Sequence, residues 1–347
     1  MNKKRITEID ALRGIAALLV VLYHYTFHYD RRFGHVASDY NTELFSFGHY
    51  GVQLFFIISG FVIFMSVSRG RSASDFLIKR AFRLYPAYIA AVVITFIVLS
   101  ASSIDIQRTI QEMFVNMTMV QEFIGIRNID GSYWSLRVEF TFYIMMALII
   151  LIDKEKVMPV VVTMLSVGIV IQVYSLIMST DYAQFVERFS TANYIQLFVI
   201  GIMLHEIWIK GMQLKYGAVI IVAVMYDFIF EGVVNGLFTV SFISIFALVL
   251  NDKLKILNNK VLLYLGSISY PLYLIHQNIG YALIHVMEDY GLTHEIWIII
   301  PVIISVLLAH CILYVVEKPS QNFLFKYYKS LRDSNKKNEL RPYNCVK

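Results

Sequence analysis

Arg13 and His24 stand eleven residues apart in the run LRGIAALLVVLYHY. At 3.6 residues per turn that interval is close to three whole turns, so a helix places both side chains on one face, ~16 Å apart along its axis. His28 extends the face by one turn. A guanidinium is a fixed cation that binds carboxylate or phosphate, and an imidazole gains or loses a proton near neutrality. One end of the face therefore suits anion binding and the other acid–base work. The plainer alternative has Arg13 snorkelling to a membrane surface and His24 bonding a neighbouring helix.

Three further stretches carry comparable groups. In FLIKRAFRLYP, Arg80 and Arg83 are i and i+3, neighbours on a helix face. Two guanidiniums so placed fit a phosphate, and equally a lipid headgroup. In GSYWSLRVEFTFY, Trp134 fits an interfacial anchor and Glu139 lies about one turn further in. A carboxylate there orients a histidine, accepts a proton or pairs with a cation on another helix. Arg137, two residues from Glu139, faces elsewhere and is not expected to pair with it. In SISYPLYLIHQN, His276 follows Pro271, whose missing N–H should kink the helix. Disturbed backbone in mid-membrane often lines sites, although a lone histidine also serves as a packing donor. His205 and Glu206 read as an inner helix end and His310 as a packing residue, while Asp227 has no evident role.

Hydrophobic runs must position these groups. The chain has 347 residues, 58% of them apolar and only 16% charged, with mean hydropathy +0.62. Soluble domains carry about 45–50% apolar and 25% charged residues, so this surplus calls for lipid as a second solvent. Ten runs are long enough to cross: 11–28, 50–68, 84–101, 133–152, 157–177, 193–208, 216–231, 233–250, 261–285 and 295–316. The sixth and seventh are short. With the N-terminus inside, 23 of the 30 basic residues fall on one side and 5 on the other. That asymmetry predicts an all-α polytopic membrane protein with both termini cytoplasmic. Arg13 then sits near the inner edge and His24 in the outer half.

The first run follows Lys3, Lys4 and Arg5, yet Arg13 interrupts it and no small-residue cleavage site follows, so it reads as a span and not a signal peptide. The basic residues punctuate apolar runs and form no nucleic-acid patch. Cys311 and Cys345 supply neither a disulfide framework nor a zinc spacing, and nucleotide, zinc and hydrolase signatures are lacking. The long outer loop 102–132 has Ile110, Phe114 and Met117 at helical spacing, which fits a surface helix or a folded-back lid. The charged residues after Glu317 are expected to form a loose cytoplasmic end.

Five ordered fragments resemble acyltransferase family 3, integral membrane proteins that O-acylate sugars and other hydroxyl groups. IDALRGIAALLVVLYH resembles the family's opening Arg-x10-His. GVQLFFIISGF is similar to its Gly-Val…Phe-Phe…Ser-Gly-Phe block, FLIKRAFRLYP to its Arg-x-x-Arg-x-Tyr-Pro, WSLRVEFTFY to its Trp-Ser-Leu-x-x-Glu block and SYPLYLIH to its late Tyr-Leu-x-His. The resemblance runs from Ile9 to about Lys318, giving a transmembrane acyltransferase domain at 1–318 and a charged cytoplasmic tail at 319–347.

The resemblance implies an acyl-CoA donor, acetyl-CoA by family habit, as co-substrate on the cytoplasmic side of a bacterial inner membrane. The acceptor is a carbohydrate hydroxyl, often outside, and no bound cofactor or metal is expected. Some members carry a C-terminal SGNH hydrolase-like domain. This chain ends too soon to hold one, so either the membrane domain completes the transfer or a separate extracytoplasmic partner does. Arg80 and Arg83 would hold the coenzyme A phosphates, and Arg13 would attract the same donor or stabilise developing charge. His24 would act as general base or acyl carrier, with Glu139 fixing its tautomer. Trp134 and Ser135 would lie near the outer mouth and touch a sugar, with His276 on the acceptor pathway and Ser59 as a second hydroxyl or a packing residue. The competing reading is a transporter or flippase of a glycan or lipid-linked sugar; a third is a structural or sensory subunit.

Overall fold

The computed structural model describes residues 6–35, 42–68, 72–152, 157–178, 180, 185–186 and 189–339. Its main helices are α1 (Thr7–Tyr23), α2 (Gly51–Ser68), α3 (Ala73–Ala101), α4 (Ile110–Asn116), α5 (Trp134–Ile152), α6 (Val157–Met178), α7 (Ala192–Lys210), α8 (Leu214–Tyr226), α9 (Val233–Leu250), α10 (Lys260–Asp289), α11 (Ile299–Cys311) and α12 (Lys318–Glu339). No strand occurs among the described residues. Lys3, Lys4, Arg5, Arg69, Arg71, Lys154, Lys156, Arg188, Arg341 and Lys347, part of the charge count above, lie outside the described residues, as does Cys345.

Each of the ten expected runs is helical, and among the described residues eight helices are long and apolar enough to cross a membrane. The other two are α8 and α10. The first is short and ends in a π-helical turn at Asp227–Glu231. The second buries Ser269, His276, Gln277 and Asn278, and these polar groups lower its hydropathy although it runs for 30 residues. Pro271 lies inside α10, which continues through it as one helix.

Close backbone approach organises the bundle. A Cβ on Gly266 of α10 would meet the Asp10 carbonyl oxygen of α1 at 2.0 Å, and one on Gly14 would meet Gly266 N at 2.5 Å. A Cβ on Gly60 of α2 would meet the Phe198 carbonyl oxygen of α7 at 2.2 Å, and one on Gly201 the Ile57 carbonyl oxygen at 2.1 Å. Within lipid, burial gives helices little reason to associate, so such small-residue seams permit the van der Waals contact that does. Gly60 is thus a packing residue. Two apolar cores flank these seams, one mainly from α2 and α5–α8, the other mainly from α1, α3, α10 and α11.

In the loop 102–132, α4 has a capping box: the Glu112 N–H donates to Thr109 Oγ1 while the Glu112 carboxylate accepts from the Thr109 N–H. Ile110 and Phe114 are 61% and 60% exposed, so the apolar spacing seen in the sequence faces outward, as a surface helix requires. No residue of 102–129 lines the cavity described below. Burial works against the Glu112 carboxylate, but the Thr109 N–H and the Arg127 guanidinium, at 2.7 Å, outweigh it and hold its pKa below the ordinary value. A depressed acid pKa stabilises above the unfolded value and is lost as pH falls through the folded one. Amide protection in 109–116, measured against the intrinsic exchange rate at each pH, should therefore fall below about pH 4. Unchanged protection there would contradict the role given to this carboxylate.

The tail corrects an expectation. Residues 318–339 form a helix packed on α3 and not a loose end. Phe325 and Tyr328 meet Phe82 edge-on, Gln321 Nε2 donates to the Arg83 carbonyl at 3.0 Å, and Arg332 lies 3.6 Å from Asp75. High charge density hid an amphipathic pattern whose apolar side has a partner.

Candidate active site

After Tyr23 the first helix widens into a π-helical turn, His24–His28. Such turns frequently occur at functional sites. His24 and His28 line a cavity of about 360 Å³ together with His49, Gln53, Trp134, Asn193, Tyr194, Glu231, Asn235, Tyr273 and Gln277. These residues come from the π-turn after α1, the 3-10 segment before α2, the π-turn after α8, the starts of α2, α5, α7 and α9, and the middle of α10. The cavity therefore opens at the end of the bundle opposite Arg13. Trp134 and Tyr194 form its aromatic wall, their ring centroids 5.2 Å apart.

Two backbone carbonyls fix both imidazoles at its base. His24 Nδ1 lies 2.8 Å from the Val20 oxygen, and His276 Nδ1 lies 2.8 Å from the Tyr273 oxygen. A carbonyl only accepts, so each Nδ1 carries the proton. His276 Nε2 is then an acceptor, 3.1 Å from His24 Nδ1, and shares that proton with Val20. The basic atom left on His24 is Nε2, on a ring that lines the cavity. His276 itself is wholly buried.

Glu139 plays no part in this arrangement, contrary to the sequence expectation. Its carboxylate accepts from Ser59 Oγ at 2.9 Å and lies within electrostatic reach of Tyr143. The tautomer of His24 is set by Val20 and His276 instead. Glu139 belongs with the cationic cluster near the start of α1: Arg13 is within electrostatic reach of Glu139, Tyr143 and Arg83. Arg80 Nη2 donates to Ser66 Oγ at 3.1 Å, and its guanidinium stands 5.6 Å from the Tyr143 ring. Arg13, Arg80, Arg83 and Glu139 thus converge around Tyr143.

Trp134 lines the cavity, but Ser135 is buried beneath it, sharing a 2.7 Å hydrogen bond with the Tyr273 hydroxyl. Arg137 pairs with Glu122, away from Glu139 as expected. His205 and Glu206 are buried, the latter bonded to Lys210 and Tyr216, and His310 bonds the Tyr264 hydroxyl. Asp227, without a role in the sequence, accepts from Gln196 and Thr239.

Several site residues escaped sequence reasoning. Asp130 accepts from Ser132 N, Ser132 Oγ and the Asn278 N–H, clamping the start of α5 to the middle of α10. Tyr25 donates to the His276 carbonyl at 2.8 Å. Asp130 lies outside the apolar runs, and Tyr25 is one of 23 tyrosines, so composition singles out neither.

The chain matches the acyltransferase domain family over residues 6–315. It is similar to the O-acetyltransferase OatA of Staphylococcus aureus (strain NCTC 8325 / PS 47), 23% identical over 374 residues that cover 92% of this chain and 58% of that protein. A second protein of Staphylococcus aureus (strain COL), named provisionally as an O-acetyltransferase, is 25% identical over 341 residues, 84% of this chain and 52% of its own length. The chain thus spans a little over half the length of the curated relatives it matches. No solved structure matches it. With a helical membrane scaffold and a family match over nearly its whole length, the chain belongs to the acyltransferase family whose motifs its sequence resembles.

Proposed function

We propose that this chain moves an acetyl group from acetyl-CoA to a hydroxyl of a cell-surface or lipid-linked carbohydrate. The observation that carries the reading is the division of α1: a guanidinium cluster at one end, and at the other an imidazole of fixed tautomer beside a cavity. Arg80 and Arg83 hold the coenzyme A phosphates at the inner end through charge-assisted hydrogen bonds. Arg13 draws the thioester along α1. His24 Nε2 takes the proton of the acceptor hydroxyl as its oxygen attacks the thioester carbonyl. The carbon–sulfur bond breaks, and the proton held on His24 Nε2 passes to the departing thiolate, giving free thiol and neutral imidazole. Both termini face the cytoplasm in this reading, and the protein resides in a bacterial inner membrane.

Purified protein is given labelled acetyl-CoA and a crude cell-envelope glycan extract. Label should enter the glycan and be released by saponification, as an ester requires. Arg80→Ala and Arg83→Ala should each raise the KM for acetyl-CoA by roughly tenfold or more, since a lost charge-assisted bond costs about 1.5–3 kcal/mol. Folded protein that consumes no thioester, yet exports unmodified glycan from vesicles, would replace the enzyme with a transporter.

A further inference from the structure

His28 lines the cavity beside His24, half-buried, and takes no part in the proton transfer assigned to His24. The π-helical turn carries the two imidazoles four residues apart, with ring centroids 5.2 Å from each other. Tyr23 packs edge-on against both, its centroid 5.0 Å from that of His24 and 5.8 Å from that of His28.

The Nδ1 atoms of the two rings meet different partners. That of His24 faces the Val20 carbonyl, which only accepts. That of His28 lies 2.6 Å from the hydroxyl of Tyr281, which is wholly buried on α10. Phenol and imidazole can each donate, so relative acidity decides the direction. A phenol, with a pKa of about 10, is a far stronger acid than the N–H of a neutral imidazole, and the bare ring nitrogen is a better base than a phenol oxygen. Tyr281 therefore donates and His28 Nδ1 accepts. The short separation agrees, because O–H donors bond at closer range than N–H donors.

A neutral imidazole carries one proton. His24 keeps it on Nδ1 and has a basic Nε2, whereas His28 must keep it on Nε2. Opposite tautomers thus stand side by side at one cavity, the first a base and the second a donor. Ester formation uses both. As the acceptor oxygen gives its proton to His24 and attacks, the thioester carbonyl oxygen gains negative charge, and a donor already in place lowers the barrier.

We infer that His28 Nε2–H is the donor that stabilises this oxyanion, and that Tyr281 is a positioning residue that holds His28 in the donor tautomer. This deepens the acyltransferase reading and rests on it. No covalent bond to His28 forms or breaks; its hydrogen bond to the oxygen tightens in the tetrahedral intermediate and relaxes when the carbon–sulfur bond breaks.

Glutamine separates a donor from a base, since its amide nitrogen donates but takes up no proton. In the labelled acetyl-CoA assay, His28→Leu should lower kcat by about 10²- to 10³-fold, the usual worth of one oxyanion donor. His28→Gln should recover about tenfold of that loss. His24→Gln should recover nothing relative to His24→Ala. Tyr281→Phe should fall between wild type and His28→Leu, and the KM for acetyl-CoA should stay near wild type throughout. Nitrogen NMR of the full chain carrying isotope-labelled histidine reads the tautomers without substrate, with signals assigned by their loss in His24→Gln and His28→Gln. Wild type should show His24 protonated on Nδ1 and His28 on Nε2, and Tyr281→Phe should convert the second signal to a mixture. With wild-type transfer intact, protonation of His28 on Nδ1, or a His28→Gln variant no better than His28→Leu, would overturn the inference and leave the acyltransferase reading standing. Folded wild type that shows the opposed tautomers yet transfers no acetyl group would sink that reading and the inference together.

Discussion

His24→Ala should lower kcat by about 10²- to 10⁴-fold, the usual worth of a positioned general base, while thermal unfolding in detergent stays near wild type. The ring is half-buried at the base of the cavity and lies outside the glycine seams, so its removal frees space without parting helices. His276 should behave differently, because it acts through His24. His276→Ala removes the acceptor 3.1 Å from His24 Nδ1 and should reduce kcat with little change in KM for acetyl-CoA. His276→Gln keeps an acceptor oxygen and should recover part of the loss. Near-normal product from His24→Ala would remove the imidazole from the chemistry. Equal losses from both His276 variants would reduce that residue to packing.

Gly266→Val should have the largest effect on stability. The first added carbon would meet a backbone oxygen at 2.0 Å, and neither backbone can rotate away as a side chain would. Overpacking commonly costs about 1–3 kcal/mol, with more expected where both obstacles are main chain. The unfolding midpoint should fall by several degrees, and transfer should fall with it, because the same contact between α1 and α10 sets the spacing of His24 and His276. Gly217→Ala is the control: its Cβ would meet only the flexible end of Met212, at 3.2 Å. A wild-type midpoint for Gly266→Val would show that the seam yields.

These two positions show what a sequence reveals and what it withholds. The shared face of Arg13 and His24 was legible because helix periodicity is local. The pairing of Arg80 with Arg83 and the exposed face of α4 were legible for the same reason. The partner of Glu139 was not, since Ser59 lies 80 residues upstream and only the packing of α2 on α5 brings them together. Gln53 and Asn235, 182 residues apart, are joined in the same non-local way. The tautomer of His24 depends on a carbonyl, and backbone oxygens carry no mark in sequence. The helix beyond Glu317 was hidden differently: Phe325 and Tyr328 stand three apart, but lysines crowd them and the partner, Phe82, sits on a distant segment.

That last helix has a consequence of scale. The continuous helical stretch Glu295–Ser334 covers 40 residues, about 60 Å at 1.5 Å per residue. The hydrocarbon layer is about 30 Å thick. Even a steep tilt leaves part of this stretch beyond the hydrocarbon layer, packed along the start of α3 where Arg332 meets Asp75. Because Gln321 donates to the Arg83 carbonyl, the helix that leaves the layer is tied, at its first turn, to the backbone that carries one of the arginines.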